Sequence, residues 1–281
     1  MLVKDAMHDC TITVSGHTTL PEVVVIMDTL GIKRLPVMLD SKLVGLITDD
    51  DVRRALPAVH EGLTPWQFIA RAGRVHVSAV MHATVLTTAP DAPLDGAIRT
   101  LFERRVGGLP VIDENEKLVG MLTLTDVLRA ACTAPRTLFG AVREHMSSDV
   151  ISVEVGAPAS EASARLKITK LRVLPVVEAG KLVGVIHEKD VSAAVERAAA
   201  LHGDTVMADQ FFLADLSVRD LMRPPGDEVL ASVPMRDALS KMLAADVHGL
   251  PVVSDGGKLL GVVTVSDVLR TLLGESELHA Q

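Results

Sequence analysis

The chain has 281 residues, 48% of them hydrophobic, which is enough for about two cores, and it carries a formal net charge of −8. That acidic balance opposes a general nucleic-acid partner, which needs a positive face to displace phosphate counterions, and five Phe, one Trp and no Tyr offer few stacking platforms for single strands. No stretch approaches the roughly 18–20 apolar residues of a membrane span, so neither nucleic acid nor membrane is an expected partner.

From the N-terminus, the first element opens near Met7, and Val23 to Met27 reads as the apolar run of a packed helix. Leu35-Pro36-Val37 follows, then Gly45-Leu46-Ile47-Thr48 with Asp51 three residues beyond. The same order recurs from Met81, where Val85-Leu86-Thr87 is a short strand candidate. Pro93-Leu94 then opens a helix whose Leu94, Ala97, Ile98 and Leu101 keep the i, i+3, i+4, i+7 stripe. Leu109-Pro110-Val111-Ile112 enters a strand, Asp113 to Lys117 turns, Leu118 to Leu122 returns, and Thr123 starts a second helix containing Asp126. Proline at a strand edge is tolerated because only a peripheral donor is lost.

Two further copies follow: Met146, Leu174-Pro175-Val176 and Gly184-Val185-Ile186-His187 with Asp190, then Met222, Leu250-Pro251-Val252 and Gly261-Val262-Val263-Thr264 with Asp267. The four glycines are 75, 64 and 77 residues apart, and this alternation suggests a duplicated pair. The expected organisation is repeat one over 1–56, a linker over 57–77 and repeat two over 78–131, together the first module. A linker over 132–141 precedes repeat three over 142–196, a linker over 197–217 and repeat four over 218–273, the second module, with a tail over 274–281. The stripes Leu94, Ile98, Leu101 and Leu239, Met242, Leu243 are expected core. Cys10 and Cys132 match no disulfide or zinc pattern and read as small buried hydrophobes. The first repeat begins at Val3, so no signal peptide is expected and the cytoplasm is the expected location.

Thr-x-x-Asp has two readings that can coexist. As a capping box it satisfies the orphan amides of a helix start. As a binding element it offers amides and a hydroxyl to a phosphate, while the carboxylate accepts hydrogen bonds from a vicinal diol such as ribose.

Four βαββα units, each opening near a Met, running through Leu-Pro-Val and ending in Gly-x-x-Thr-x-x-Asp, resemble cystathionine-β-synthase (CBS) domains over nearly the whole chain. The resemblance implies an α/β (α+β) fold of four CBS repeats arranged as two pseudo-twofold Bateman modules. It further implies adenosine-containing ligands, AMP, ADP, ATP or S-adenosylmethionine, in clefts between paired repeats, with no cofactor required and with Mg2+ as a conceivable companion of the phosphates. Such modules commonly dimerise, so a homodimer is an expected partner state, and four repeats within one chain could also complete a disc.

Carried over by motif, the four clefts are unequal. One gathers Thr123 and Asp126 with Thr13, Ile32 and Lys33; its mate gathers Thr264 and Asp267 with Ser152, Leu171 and Arg172. Each has a ribose acceptor, a hydroxyl and a cation, and Arg34, Arg129 and Lys189 are weaker phosphate candidates. A third sets Thr48 and Asp51 opposite Thr87, Val106 and Gly107, with no cation in the matching place and with Asp49 and Asp50 repelling phosphate. The fourth is degenerate, with His187 and Asp190 facing Glu228 and His248; it is expected to be empty or to hold something uncharged, and no metal is assigned to its histidines.

Leu63 to Gly73, with Thr64-Pro65-Trp66, and His202 to Leu216, with Phe211-Phe212, occupy equivalent places and hold four of the chain's six aromatics. They read either as linker helices on their own modules or as aromatic anchors for a subunit or effector. The leading expectation is a stand-alone sensor that signals occupancy to an unidentified protein effector; the alternative is an assembly scaffold with vestigial clefts. An enzyme is not expected: Asp49 to Asp51 have no nucleophile, general base or phosphate loop of recognisable spacing beside them.

Overall fold

In the computed structural model the described residues are 1–9, 12–55, 72–133, 139–169, 171–188, 190–191, 193–194, 213 and 216–274. Cys10, Trp66, Lys189, Phe211 and Phe212 fall outside them, and with them the aromatic-anchor expectation. Two compact units are present, Met1–Val127 and Leu128–Gln281.

In the first unit, repeat one runs β1 (Val14–Ser15), α1 (Leu20–Leu30), β2 (Arg34–Leu39), β3 (Lys42–Thr48) and α2 (Asp49–Ala55). Thr19 and Glu22 form a capping box at the start of α1, Pro21 occupies its first turn, and Gly31 ends it in the left-handed region at φ 63°. The run read from Val23 to Met27 is this helix, whose Leu20, Val23 and Met27 face the core. β1 joins β2 in parallel and β2 joins β3 antiparallel, in the order β1-β2-β3. The β2–β3 turn is closed by Asp40 and Ser41, both at positive φ as a two-residue hairpin of matching twist requires.

Repeat two contributes α3 (Leu94–Glu103), β4 (Gly108–Ile112), β5 (Leu118–Thr123) and α4 (Leu124–Thr133). Pro93 is the N-cap of α3, and Leu94, Ala97, Ile98 and Leu101 are buried as the stripe predicts. The strand expected at Val85-Leu86-Thr87 is absent; only Thr88 bridges, to Val111. The reason lies in Pro90. At the equivalent place in repeats three and four the amides of Val155 and Ala231 bond Val177 and Val253 carbonyls at 3.0 and 3.2 Å, and proline has no amide to give. Leu-Pro-Val also sits deeper than the edge position expected: Pro36 is the third residue of β2, one step ahead of the Val14–Val37 register at which β1 begins.

In the second unit, repeat three runs β6 (Val153–Glu154), α5 (Ala159–Thr169), β7 (Val173–Glu178) and β8 (Lys181–His187). Repeat four runs α6 (Val218–Leu221), β9 (Val229–Leu230), α7 (Met235–Ala245), β10 (Gly249–Val253), β11 (Leu259–Thr264) and α8 (Val265–Leu272). The sheets repeat the pattern of repeat one, in the orders β6-β7-β8 and β11-β10-β9. Leu239 and Met242 are buried, whereas Leu243 is partly exposed.

Within each unit the repeats exchange their leading segments. The amide of Val3 bonds Ala92 ahead of α3, and Leu94 returns a bond to Met1; the amide of Val77 bonds Thr18 ahead of α1, and Leu20 returns one to Val75. Val142 with Val233 and Met235 with Gly140, then Val218 with Ala157 and Ala159 with Leu216, do the same in the second unit. Val77 is accordingly a member of the repeat-one core, and Val218 and Leu221 belong to that of repeat three. Among the described residues no helix is long and apolar enough to cross a membrane.

Candidate functional site

The exchanged segment delivers each repeat-opening methionine onto the glycine of its partner's Gly-x-x-Thr motif. A Cβ at Gly120 would lie 2.9 Å from the Met7 sulfur and 2.8 Å from the His8 carbonyl oxygen; Met81 covers Gly45, Met222 covers Gly184 and Met146 covers Gly261 in the same way. The two signatures recognised separately in the sequence are thus the two halves of one contact.

The residue after each methionine then forms a single antiparallel bridge to the strand beyond that glycine: His8 with Met121, His82 with Leu46, Ser147 with Val262 and Arg223 with Val185. In each case the partner strand's conserved spacing puts the aspartate five residues further on. At three of the four positions the side chain meets the aspartate of the neighbouring repeat. His8 Nδ1 lies 2.9 Å from Asp126 Oδ2, and His82 Nε2 lies 3.0 Å from Asp51 Oδ1. Arg223 reaches Asp190 with two nitrogens, its Nη2 at 2.5 Å from Oδ1 and its Nε at 2.9 Å from the same oxygen. Sequence reasoning missed these partners, although their signal, His, His, Ser and Arg at one recurring position, stands in the sequence.

The aspartates themselves are buried and act as helix caps. Asp126 Oδ2 accepts from the Thr123 amide at 2.8 Å and its hydroxyl at 2.5 Å; Asp267 Oδ2 accepts from those of Thr264 at 2.7 and 2.8 Å; Asp51 Oδ2 accepts from those of Thr48 at 3.0 and 2.6 Å. Burial pushes the Asp51 carboxyl up, but the Thr48 hydroxyl and amide, with His82 beside it, outweigh burial and leave it below its ordinary value. At Asp190 only the His187 amide remains, at 2.9 Å, because histidine in place of threonine brings no hydroxyl.

A second arginine position distinguishes the clefts. Arg54 and Arg270, three residues after their aspartates and on the same helices, bond Asp51 Oδ1 at 2.8 Å and Asp267 Oδ1 at 2.7 Å. Arg129 holds the corresponding place after Asp126, whereas Ala193 stands after Asp190. The acidic triplet is also less bare than its sequence suggests, since Arg53 bonds Asp49 at 2.7 Å.

The other candidates are placed as follows. The carbonyls of Lys33, Gly107, Arg172 and His248 accept from the amides of Asp49, Leu124, Glu188 and Val265, so each lies beside the Thr or His of its own repeat. Across the pseudo-twofold, the cation that reaches repeat two is Arg34, whose guanidinium covers Gly107 and Gly108, while Gly108 pairs in register with Thr123. In the second unit Arg172 itself crosses, its Nη1 3.0 Å from His248 Nε2. Lys33 and Thr13 are exposed, Ile32 and Leu171 half-buried. Ser152 and Glu228 hold equivalent places, their carbonyls accepting from Arg165 and Lys241 at 2.7 Å. Thr87 lines a shallow groove with Lys42, Val85, Ile112 and Glu116, and Val106 caps the end of α3 through its amide.

Next to Thr13, Thr87 and Ser152 stand Ile12, Leu86 and Ile151, each about 38% exposed despite being large and apolar. These exposed apolar positions too were missed in the sequence. Their counterpart before Glu228 is Asp227, whose carboxylate lies 3.8 Å from Nε2 of the buried His187. His187 and His248 thus have separate partners, and among the described residues no three His, Cys, Asp or Glu side chains are placed to hold a metal.

A family model described as CBS domain matches residues 3–58, 77–132, 142–197 and 218–274. The uncharacterized protein MJ1225 of Methanocaldococcus jannaschii is 25% identical over 284 residues, spanning 96% of this chain and 98% of its own. The crystal structure of that protein matches with a TM-score of 0.70 at 23% identity, covering 97% of this chain and all of the other. An uncharacterized conserved protein of Pyrococcus horikoshii matches with a TM-score of 0.68 at 20% identity and the same coverage. The inosine-5'-monophosphate dehydrogenase of M. jannaschii is 31% identical over 130 residues, but these are 46% of this chain and 22% of that enzyme.

Proposed function

Because the chain belongs to the CBS-domain family, we propose that it is a stand-alone regulatory sensor: it binds adenosine-containing ligands in clefts between paired repeats and passes occupancy to a protein effector. The observation that carries this reading is the pair Thr264–Asp267. Its carboxylate is buried and oriented by threonine at the start of α8, and the neighbouring position from repeat three is a serine, the smallest side chain found there in the four repeats. Thr123–Asp126 has the same capped carboxylate with His8 as neighbour, and Arg34 and Arg172 supply cations near the two sites. The ligand sets are those assigned by motif, Thr13, Ile32 and Lys33 with Thr123 and Asp126, and Ser152, Leu171 and Arg172 with Thr264 and Asp267. The sensor would couple to its effector by binding one arrangement of its repeats more tightly than another. No catalysis is assigned; the enzyme relative shares only a fraction of its length with the chain.

The assembly-scaffold reading has one observation on its side, since each aspartate already meets a cation or histidine of its own chain. Isothermal titration of AMP, ATP and S-adenosylmethionine decides between them. The sensor reading expects about two sites per chain, one lost in Asp126→Ala and one in Asp267→Ala. No heat and no thermal shift with any of the three would leave the scaffold.

A further inference from the structure

Arginines meet Asp51, Asp190 and Asp267, and at Asp190 the arginine comes from the opposite repeat. Arg54 and Arg270 approach from the aspartate's own helix, with side chains 71% and 45% exposed. In the cleft of Asp190 the helix offers Ala193, and the guanidinium comes from Arg223 on the opposite repeat. The Arg223 backbone sits where Ser147, His8 and His82 sit in the other three clefts, each bridged to the residue five positions before the aspartate.

We propose that the residue following the repeat-opening methionine is the specificity gate of its cleft, and that Arg223 closes the Asp190 cleft to any ligand that would bind the carboxylate through a neutral diol. This rests on the proposed adenosyl-ligand function and deepens it. A guanidinium gripping a carboxylate through two nitrogens adds a full opposite charge to its hydrogen bonds, whereas a neutral diol brings only its two hydroxyl donors to the same oxygens; the Asp190 side chain is 15% exposed and that of Arg223 40%. Ser147 at the same backbone position puts no cation on Asp267 from the opposite repeat, and His8 and His82 are intermediate, each making one bond. The gate acts by position: Arg270 pairs with its aspartate too, but from the aspartate's own helix, whereas Arg223 reaches across from the opposite repeat.

The test moves the arginine. Ser147→Arg combined with Arg270→Ala gives the Asp267 cleft the Arg223/Ala193 arrangement, with Arg270→Ala alone as baseline and Ser147→Gln with Arg270→Ala as a neutral side chain of similar reach. With AMP as probe, titration should show the arginine double variant losing one site relative to the baseline, or weakening it at least tenfold, while the glutamine variant stays within about threefold of the baseline. Baseline stoichiometry and affinity in the arginine variant would overturn the gate, as would equal loss with glutamine, which would make the effect one of bulk. The retained Asp126 site reports that the chain is folded and loaded. If the wild type shows no heat with AMP, ATP or S-adenosylmethionine, the adenosyl function itself fails and the gate falls with it; binding by the wild type separates the two failures.

Discussion

The Met146 sulfur lies over Gly261 so closely that a Cβ at position 261 would come within 2.8 Å of it and within 2.7 Å of the Ser147 carbonyl oxygen. The methionine could swing aside, but the carbonyl cannot, because the Ser147–Val262 bridge holds it with two bonds of 2.9 Å. Gly261→Ala should therefore destabilise by about 1–3 kcal/mol, the usual cost of overpacking, read as a lower urea midpoint at unchanged slope. A midpoint equal to wild type would mean that the exchanged segment does not press on this strand.

Gly96 gives the opposite sign. It lies in α3 with nothing within 4 Å of its would-be Cβ and is not among the positive-φ residues. Gly96→Ala should stabilise by roughly 0.5–1 kcal/mol through helix propensity and a less free unfolded chain. A fall in midpoint would show that the open space beside Gly96 is filled in solution.

Arg34 prompts a third substitution. Its guanidinium lies where a side chain at Gly107 would go, but it is the far end of a flexible side chain and not rigid backbone, so it can shift. Gly107→Ala should leave the urea midpoint within about 0.5 kcal/mol of wild type, as surface changes usually do. On the sensor reading it should also weaken AMP severalfold at the Asp126 cleft by displacing the cation next to Thr123. Unchanged affinity would remove Arg34 from the phosphate contacts.

The repeats and the capping role of Thr-x-x-Asp were legible because they depend on local rules: a glycine, a threonine and an aspartate at fixed spacing, and an apolar stripe such as Leu94 to Leu101. What could not be read was which repeat supplies the neighbour of each aspartate. His8 and Asp126 are 118 residues apart in the chain and meet only because the leading segments cross between repeats, a tertiary exchange that leaves no periodicity behind. Pro90 erased a strand for a local reason, its missing amide, but that reason acts only once the ladder partner Ile112 is known. Arg34 rises above Lys33 as a cation for repeat two only through the same cross-repeat geometry, its guanidinium covering Gly107.

Asp51 carries a pH prediction. Its carboxyl lies below the ordinary 3.8 in the folded chain, so its charged form stabilises the fold above that value, and the contribution is lost as pH falls through the folded-state value. Asp51→Asn keeps the shape and removes the charge. The variant should be less stable by about 1–2 kcal/mol at pH 7, the scale of a charge-assisted bond with its cap. The gap should hold down to about pH 5 and close below pH 4, as the wild type protonates too. A gap of the same size at pH 3 and pH 7 would place the effect in packing and not in charge.

His8 allows the gate to be tuned instead of shut. Its Nδ1 spends one hydrogen bond, at 2.9 Å, on the same Asp126 oxygen that Thr123 already holds, and the imidazole is 53% exposed. A ligand diol that bonds Asp126 through this oxygen must share it with the ring or displace the ring, and a single exposed hydrogen bond is worth about 0.5–1.5 kcal/mol. His8→Ser, which copies Ser147, should therefore tighten AMP at the Asp126 cleft by roughly two- to tenfold while the Asp267 cleft is unchanged. Weaker binding in His8→Ser would reverse the role of the ring, making it a ligand contact in its own right. The two clefts then differ by what each repeat lends its neighbour, since both carboxylates are capped by threonine in the same way.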